Sequence, residues 1–230
     1  RSTRGMSSAA QMCIRDRREG NLTFHDISIK HLIKKYGTPF RLFFLPEIRD
    51  KIKRARNLFN RAIKKHNYKG EYHYCYCTKC NHFSHVVSAA LKENVHLETS
   101  SSFDIDLIRN LHKEGKINKE IIIINNGYKT DQYLKKIISL YDDGFKNILV
   151  VLDNKPELKR LLHLLKGTEK KLKIGVRMAI NEEPQSSYYT SRLGIRHNEI
   201  INFYLSEIKE NRNVILNCLL YTSDAADDIP

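Results

Sequence analysis

From residue 72 onward the chain alternates short apolar runs with longer stretches whose apolar positions recur at helical spacing. The runs are HYCYCT (73–78), VHLETS (95–100), EIIIINN (120–126), NILVVLD (147–153), KIGVRMAI (173–180) and NVILNC (213–218). Between them lie FSHVVSAALKE, FDIDLIRNLHKE, DQYLKKIISLYDD, KPELKRLLHLLKG and HNEIINFYLSEIKE. In the fourth stretch Leu158, Leu161, Leu162 and Leu165 fall three and four apart, which defines an inward helical face. Gly115, Gly144 and Gly167 follow helices, and Asp153 and Asn154 precede Pro156 at a helix start. Strands and helices in alternation predict βαβ units and a parallel sheet, the α/β class. Strand starts near 73, 95, 121, 147 and 173 are 22 to 26 residues apart. That tight repeat predicts an incomplete (β/α)8 TIM barrel over 72–218, with about six of its strands. A doubly wound open sheet is the competitor, but no G-x-G-x-x-G follows the first run.

Ahead of the repeat, 18–71 reads as a helix–strand–helix segment. SIKHLIKKYG is a short helix closed by Gly37, and the aromatics of TPFRLFFL (38–45) favour a strand. Ile48, Ile52, Ala55, Phe59, Ala62 and Ile63 form an amphipathic stripe. The two ends, 1–17 and 219–230, share no periodicity with the rest and resemble translated sequencing-adaptor scars, so they are set aside. The chain is therefore expected to be a fragment of a longer protein.

Composition narrows the class further. No apolar run reaches the length of a bilayer span, and five cysteines, three of them within 75–80, do not form a disulfide framework; a reducing cytoplasm is expected. The net charge of +14 raises a basic nucleic-acid-binding module as an alternative. The lysines, however, are spread over the polar sides of nearly every helix, which is the pattern of a solvated surface, so no nucleic acid and no membrane is expected as partner.

The chemistry concentrates in HYCYCTKCNH (73–82). On a strand Cys75, Cys77 and Lys79 share one side, and Tyr74, Tyr76 and Thr78 the other. The smaller side chains suit the crowded barrel axis and the tyrosines suit the space under the helices, which puts Lys79 at the C-terminal rim. A lysine partly desolvated there can become nucleophilic. The competing reading is a zinc knuckle, but C-x-C-x-x-C-x-H lacks the second ligand pair of structural sites, so no metal is expected.

Y-C-T-K-C-N around Lys79, followed by VHLETSSSFDIDLI, resembles the barrel domain of the fold-type III pyridoxal-phosphate decarboxylases, the family of the ornithine, diaminopimelate and arginine enzymes. INNGYKTDQYL (124–134) resembles a segment of the biosynthetic arginine decarboxylases in particular. KIGVRMAI and SRLGI resemble that group's G-V-R strand and S-K-F-G segment, with Arg192, Leu193 and Gly194 standing for K-F-G. The resemblance covers about 35–218. It implies pyridoxal 5'-phosphate as cofactor, held through a Schiff base to Lys79, with Arg177 as a cofactor-pocket arginine and Glu98 supporting the pocket by pairing with it. Asp104 takes the place of the helix-start acid. The implied reaction is decarboxylation of an amino acid, arginine to agmatine, in a homodimer of the full-length protein. Diaminopimelate or ornithine decarboxylation, or racemisation on the same fold, is the alternative. The ring-stacking histidine, the glycine-rich phosphate loops and the partner-supplied Cys-Asp pair of the family have no counterpart here, so the 230 residues alone are expected to be inactive.

Overall fold

The computed structural model describes residues 17–18, 21–24, 27–179 and 194–220. Backbone packing divides the chain between Phe44 and Leu45 into two compact units. In the first, strands β1 (Arg17–Arg18), β2 (Asn21–Phe24) and β3 (Ile27–Ser28) form a small antiparallel meander. Helix α1 (Ile29–Tyr36) follows, its first turn capped by the Ser28 hydroxyl, which accepts from the His31 N–H at 3.3 Å. Gly37 closes it with φ 76°, a conformation glycine adopts without strain.

The strand expected at TPFRLFFL does not form. Residues 38–44 pair with no strand, and Leu45 already begins a helix. Pro39 has no N–H to give to a ladder, and the aromatic that read as strand-forming, Phe44, packs edge-on against Phe24 at 5.3 Å instead. The segment is apolar because a ring needs cover, not because it belongs to a sheet.

The second unit starts with α2 (Leu45–Lys65), the helix expected to lie in the leading segment. Its stripe buries Ile52, which packs with Ala90 and Val95, while Phe59 lies flat on Tyr72 at 4.1 Å. Arg56 donates to the main-chain carbonyls of Glu93 and Asn94 at the end of the next helix. From there the chain runs β4 (Cys75–Cys77), α3 (Ser84–Leu91), β5 (His96–Thr99), α4 (Ser102–Lys113), β6 (Ile123–Asn125), α5 (Asp131–Asp142), β7 (Ile148–Leu152), α6 (Lys155–Leu165), β8 (Leu172–Ala179), β9 (Ile195–Arg196), α7 (His197–Phe203) and β10 (Val214–Leu220). A π-helical turn, Tyr204–Ile208, extends α7.

The sheet order is β10-β8-β7-β6-β5-β4, every neighbouring pair parallel, with β9 pairing the last two residues of β8. The order follows the sequence and never reverses. A doubly wound sheet reverses at its switch point, so this arrangement is the arc of a TIM barrel, and the competitor is excluded. Strand β10 runs to Leu220, paired with Arg177, two residues into the stretch set aside as a tail.

Two layers explain the sequence pattern. Between helices and sheet lies the main core, where Ile105, Leu134 and Leu161 meet Leu97, Ile123 and Val150. Leu158, Leu161 and Leu165 are fully buried there, as their spacing predicts, whereas Leu162 is half-buried. The opposite face of the sheet forms the inner layer. A Cβ on Gly175 would come within 3.2 Å of Val151 Cγ2 and 3.3 Å of Cys218 Cβ, so these three share that face. All five residues of β7 are buried, as expected for a parallel strand covered on both sides. Among the described residues no helix is long and apolar enough to cross a membrane.

Candidate active site

Strand β4 places its side chains by simple alternation. Tyr74 and Tyr76 pack under the helices. Cys77 lies on the other face with its Sγ 3.8 Å from Glu98 Oε1 on the neighbouring strand. Thr78 still bonds to β5, its N–H reaching the Glu98 carbonyl at 2.9 Å, but Cys80 N–H then turns back to the Cys77 carbonyl at 3.3 Å. Lys79 therefore sits in a turn capping the C-terminal end of β4. It lines an open cavity of about 490 Å³ together with His82, Ser100, Ser101, Phe103, Asp104 and Leu107. Asp104 builds the floor rather than reaching out: its Oδ2 accepts the Ser100 and Ser101 N–H groups at 2.9 Å, completing a capping box at α4.

Glu98 does not pair with Arg177. Its Oε1 accepts from Asn126 Nδ2 at 3.1 Å, and Asn126 is placed by its own N–H bonding to the Thr99 carbonyl at 2.8 Å. The Asn126 Oδ1 is buried without a hydrogen-bond partner. The next residue, Gly127, has φ 71°, and a Cβ there would lie 2.9 Å from the Ser100 carbonyl oxygen, so the loop after β6 can approach β5 this closely only as glycine.

Arg177 finds another acid. Its Nη1 lies 3.7 Å from Asp153 Oδ1, with the arginine side chain 13% exposed and the aspartate fully buried. The reason is register: Leu152 pairs with Val176, so the next residue of each strand meets the other at the C-terminal end, while Glu98 on β5 is separated from β8 by both β7 and β6. Behind Asp153 its own N–H donates to Glu157 Oε2 at 2.9 Å. Glu157 in turn faces a buried lysine, Lys129, at 3.6 Å. Of the other resemblance positions, Arg192 and Leu193 lie outside the described residues.

A sequence profile described as "Pyridoxal-dependent decarboxylase, pyridoxal binding domain" matches residues 47–216. The chain belongs to this family. Comparison with curated sequences returned no match. Solved structures share the fold. A diaminopimelate decarboxylase from M. jannaschi aligns with TM-score 0.71 at 17% identity, over 89% of this chain and 46% of that one. AQ1208 from Aquifex aeolicus gives 0.65 at 20% identity, over 89% and 44%. A biosynthetic arginine decarboxylase from Campylobacter jejuni gives 0.64 at 20% identity, over 94% and 37%. The chain thus spans less than half the length of these proteins.

For a pyridoxal-dependent decarboxylase domain the cofactor is pyridoxal phosphate. The residues present fit it. A cavity of about 490 Å³ beside Lys79 is of the size that takes a small ligand, roughly 300–1,000 Å³. Arg177 and Asn126 do not line this cavity; on the strand ends Arg177, 13% exposed, offers a cation, and the unpartnered Asn126 Oδ1 offers an acceptor beside Glu98. Among the described residues no three His, Cys, Asp or Glu side chains converge as metal ligands.

Cys75 and Cys77 are held as thiols. Burial, helped by the Glu98 carboxylate, pushes Cys75 and Cys77 up to about 12, from an ordinary 9.0. Metals and electrophiles need the thiolate, so these side chains fill the interior rather than react at neutral pH. Their raised values fix a sign. The folded state keeps both protons where the unfolded chain loses them, so stability is fully present below pH 9 and declines as pH rises toward 12. The unfolding free energy from urea titration is expected to fall across that range, by at most ~1.4 kcal/mol per pH unit per thiol and less given their partial exposure. In Cys75→Ala/Cys77→Ala the slope should flatten. An equally steep decline in the double variant would show that the thiols are not its source.

Sequence reading missed Asp153, Asn126, Lys129 and Glu157 as site residues. For Asp153 a usable signal existed: Val151 faces inward, and counting on by two puts Asp153 on the same face. For Lys129 the family resemblance of 124–134 marked the position, but periodicity assigns no role to a loop residue.

Proposed function

We propose that this chain is the cofactor-binding part of an amino-acid decarboxylase of the arginine type, with Lys79 as the amine that attaches pyridoxal phosphate. The observation that carries the reading is the placement of Lys79 in the turn that ends β4, lining the rim cavity, on a TIM-barrel arc whose C-terminal ends hold chemistry throughout the fold. The segment Asn126–Gly127–Tyr128–Lys129, which matches the arginine-type pattern, supports the narrower assignment, and one of the similar folds is a biosynthetic arginine decarboxylase. The working form is a homodimer of the full-length cytoplasmic protein, acting on a basic amino acid.

When bound, pyridoxal phosphate supplies an electrophilic aldehyde carbon and a ring that takes up the electron pair released with CO2. The chain's own groups do the rest. Lys79 would hold the group through Nζ, as the deprotonated amine that condenses with the aldehyde with loss of water, and would be released when the substrate amine takes its place. Arg177, held against Asp153, would supply a guanidinium to an anionic group of the cofactor. Glu98, fixed by Asn126 and flanked by the Cys77 thiol, keeps a carboxylate on the inner face of β5.

The test is CO2 release by the full-length protein from arginine, ornithine, lysine and diaminopimelate, each supplied alone with pyridoxal phosphate. Gas from arginine well above the others is the expected result. Preference for another substrate moves the assignment within the family. Inversion of chirality without gas would replace it with a racemase.

A further inference from the structure

One buried charge pair stands a step behind the rim, and nothing in the proposed chemistry uses it. Lys129 and Glu157 expose no side-chain area, and Nζ lies 3.6 Å from Oε2. Burial disfavours the charged form of both, lowering Lys129 and raising Glu157 from their ordinary values, with each partner opposing the shift. Desolvating two such charges often costs as much as their attraction returns, so stability alone is a poor reason to bury them. Geometry suggests a better one.

The Glu157 carboxylate joins two loops. Oε1 accepts the Lys129 N–H at 2.8 Å, from the loop after β6. Oε2 accepts the Asp153 N–H at 2.9 Å, at the end of β7. Lys129 Nζ also donates to the Gly127 carbonyl, closing the first loop on itself. Asp153 is fully buried, and among the described residues neither of its carboxylate oxygens has a hydrogen-bond partner and its one charged neighbour at salt-bridge distance is Arg177, at 3.7 Å. The four side chains balance in charge, two cations against two anions. Three are sealed from solvent, and Arg177, at 13% exposure, is the one with an outlet.

We infer that the Lys129–Glu157 pair is a positioning device for Arg177: it fixes the Asp153 backbone, and Asp153 fixes where the guanidinium meets an anionic group of bound pyridoxal phosphate. This rests on the proposed reading of Arg177 as a cofactor-pocket residue. None of the three sealed side chains touches the cofactor; they set the direction of the one that does.

A double-mutant cycle separates this role from plain structural support. The dissociation constant of pyridoxal phosphate is measured by absorbance titration for the unaltered protein, Glu157→Gln, Arg177→Ala and the double variant. Glutamine keeps the shape and one acceptor but loses the charge. Glu157→Gln is expected to weaken binding about tenfold with Arg177 present and roughly twofold or less with alanine in its place. An equal loss in both backgrounds overturns the positioning role and leaves the reading of Arg177 standing. No loss in Arg177→Ala overturns both. A readout without cofactor decides the matter independently: solvent exchange of the Arg177 guanidinium protons, followed by NMR, should be about tenfold faster in Glu157→Gln. Unchanged exchange overturns the inference. Should Glu157→Gln not fold, Asp153→Asn, which preserves size, runs the same cycle.

Discussion

Lys79→Ala is expected to erase covalent retention of pyridoxal phosphate. After borohydride reduction, digestion and mass spectrometry, the unaltered protein should carry the cofactor on the peptide containing Lys79, and the variant should carry none. Decarboxylation by the full-length protein should fall on the order of 10³-fold or more, the scale seen when an attacking group is deleted. Among the described residues no other lysine lines the cavity. Lys129 is sealed behind the rim, and Cys77 is held as a thiol. Lys79→Arg should fail equally, since a guanidinium keeps its proton and cannot attack. Cofactor trapped at comparable yield on another residue of Lys79→Ala would end the assignment of this lysine.

The second large effect is on stability. Glu157→Ala is expected to cost about 3–5 kcal/mol, the range for removing one partner of a buried ion pair. Three groups lose their acceptor together: the Lys129 ammonium and the main-chain N–H groups of Lys129 and Asp153. None of them can turn to water without opening the loops. Contrast Lys170, whose contact with Asp142 at 2.8 Å is shorter but lies at the surface, 28% and 48% exposed. Lys170→Ala should cost ~1 kcal/mol or less, because solvent screens that pair. Urea unfolding of both variants at neutral pH checks the contrast. Equal losses would mean that the Lys129–Glu157 site is not dry.

These expectations also mark where sequence reading stops. The parallel strands were legible because strands covered on both faces must be apolar throughout, as ILVVL in β7 shows. The helices were legible because one face of each meets the sheet. TPFRLFFL misled, since composition reveals a wish for burial and not whether a pairing strand exists to supply it. Lys79 stood out through its alternation with the cysteines and its family context. The pairing of Arg177 did not, because which acid an arginine meets depends on register between strands. Asp153 read as a helix-start residue, yet its neighbour Asn154 does the capping, accepting the Glu157 N–H at 3.0 Å, and leaves Asp153 free to turn inward. Four charges from three separate segments make the cluster behind the rim, and no local pattern joins them.

Among the described residues strand β4 lies at the end of the sheet order and pairs with β5 alone, through three registered positions. The platform under Lys79 is thus a cantilever, anchored along one side. Its hydrogen bonds can open and reclose without disturbing β6 or β7, on a much smaller free energy than global unfolding. Amide exchange in Cys75–Cys77 should therefore run ahead of the central strands, and the delivery of the amine becomes a local equilibrium of its own. A neighbouring strand that clipped onto this free side would tighten the amine's position while leaving the rest of the arc as it is.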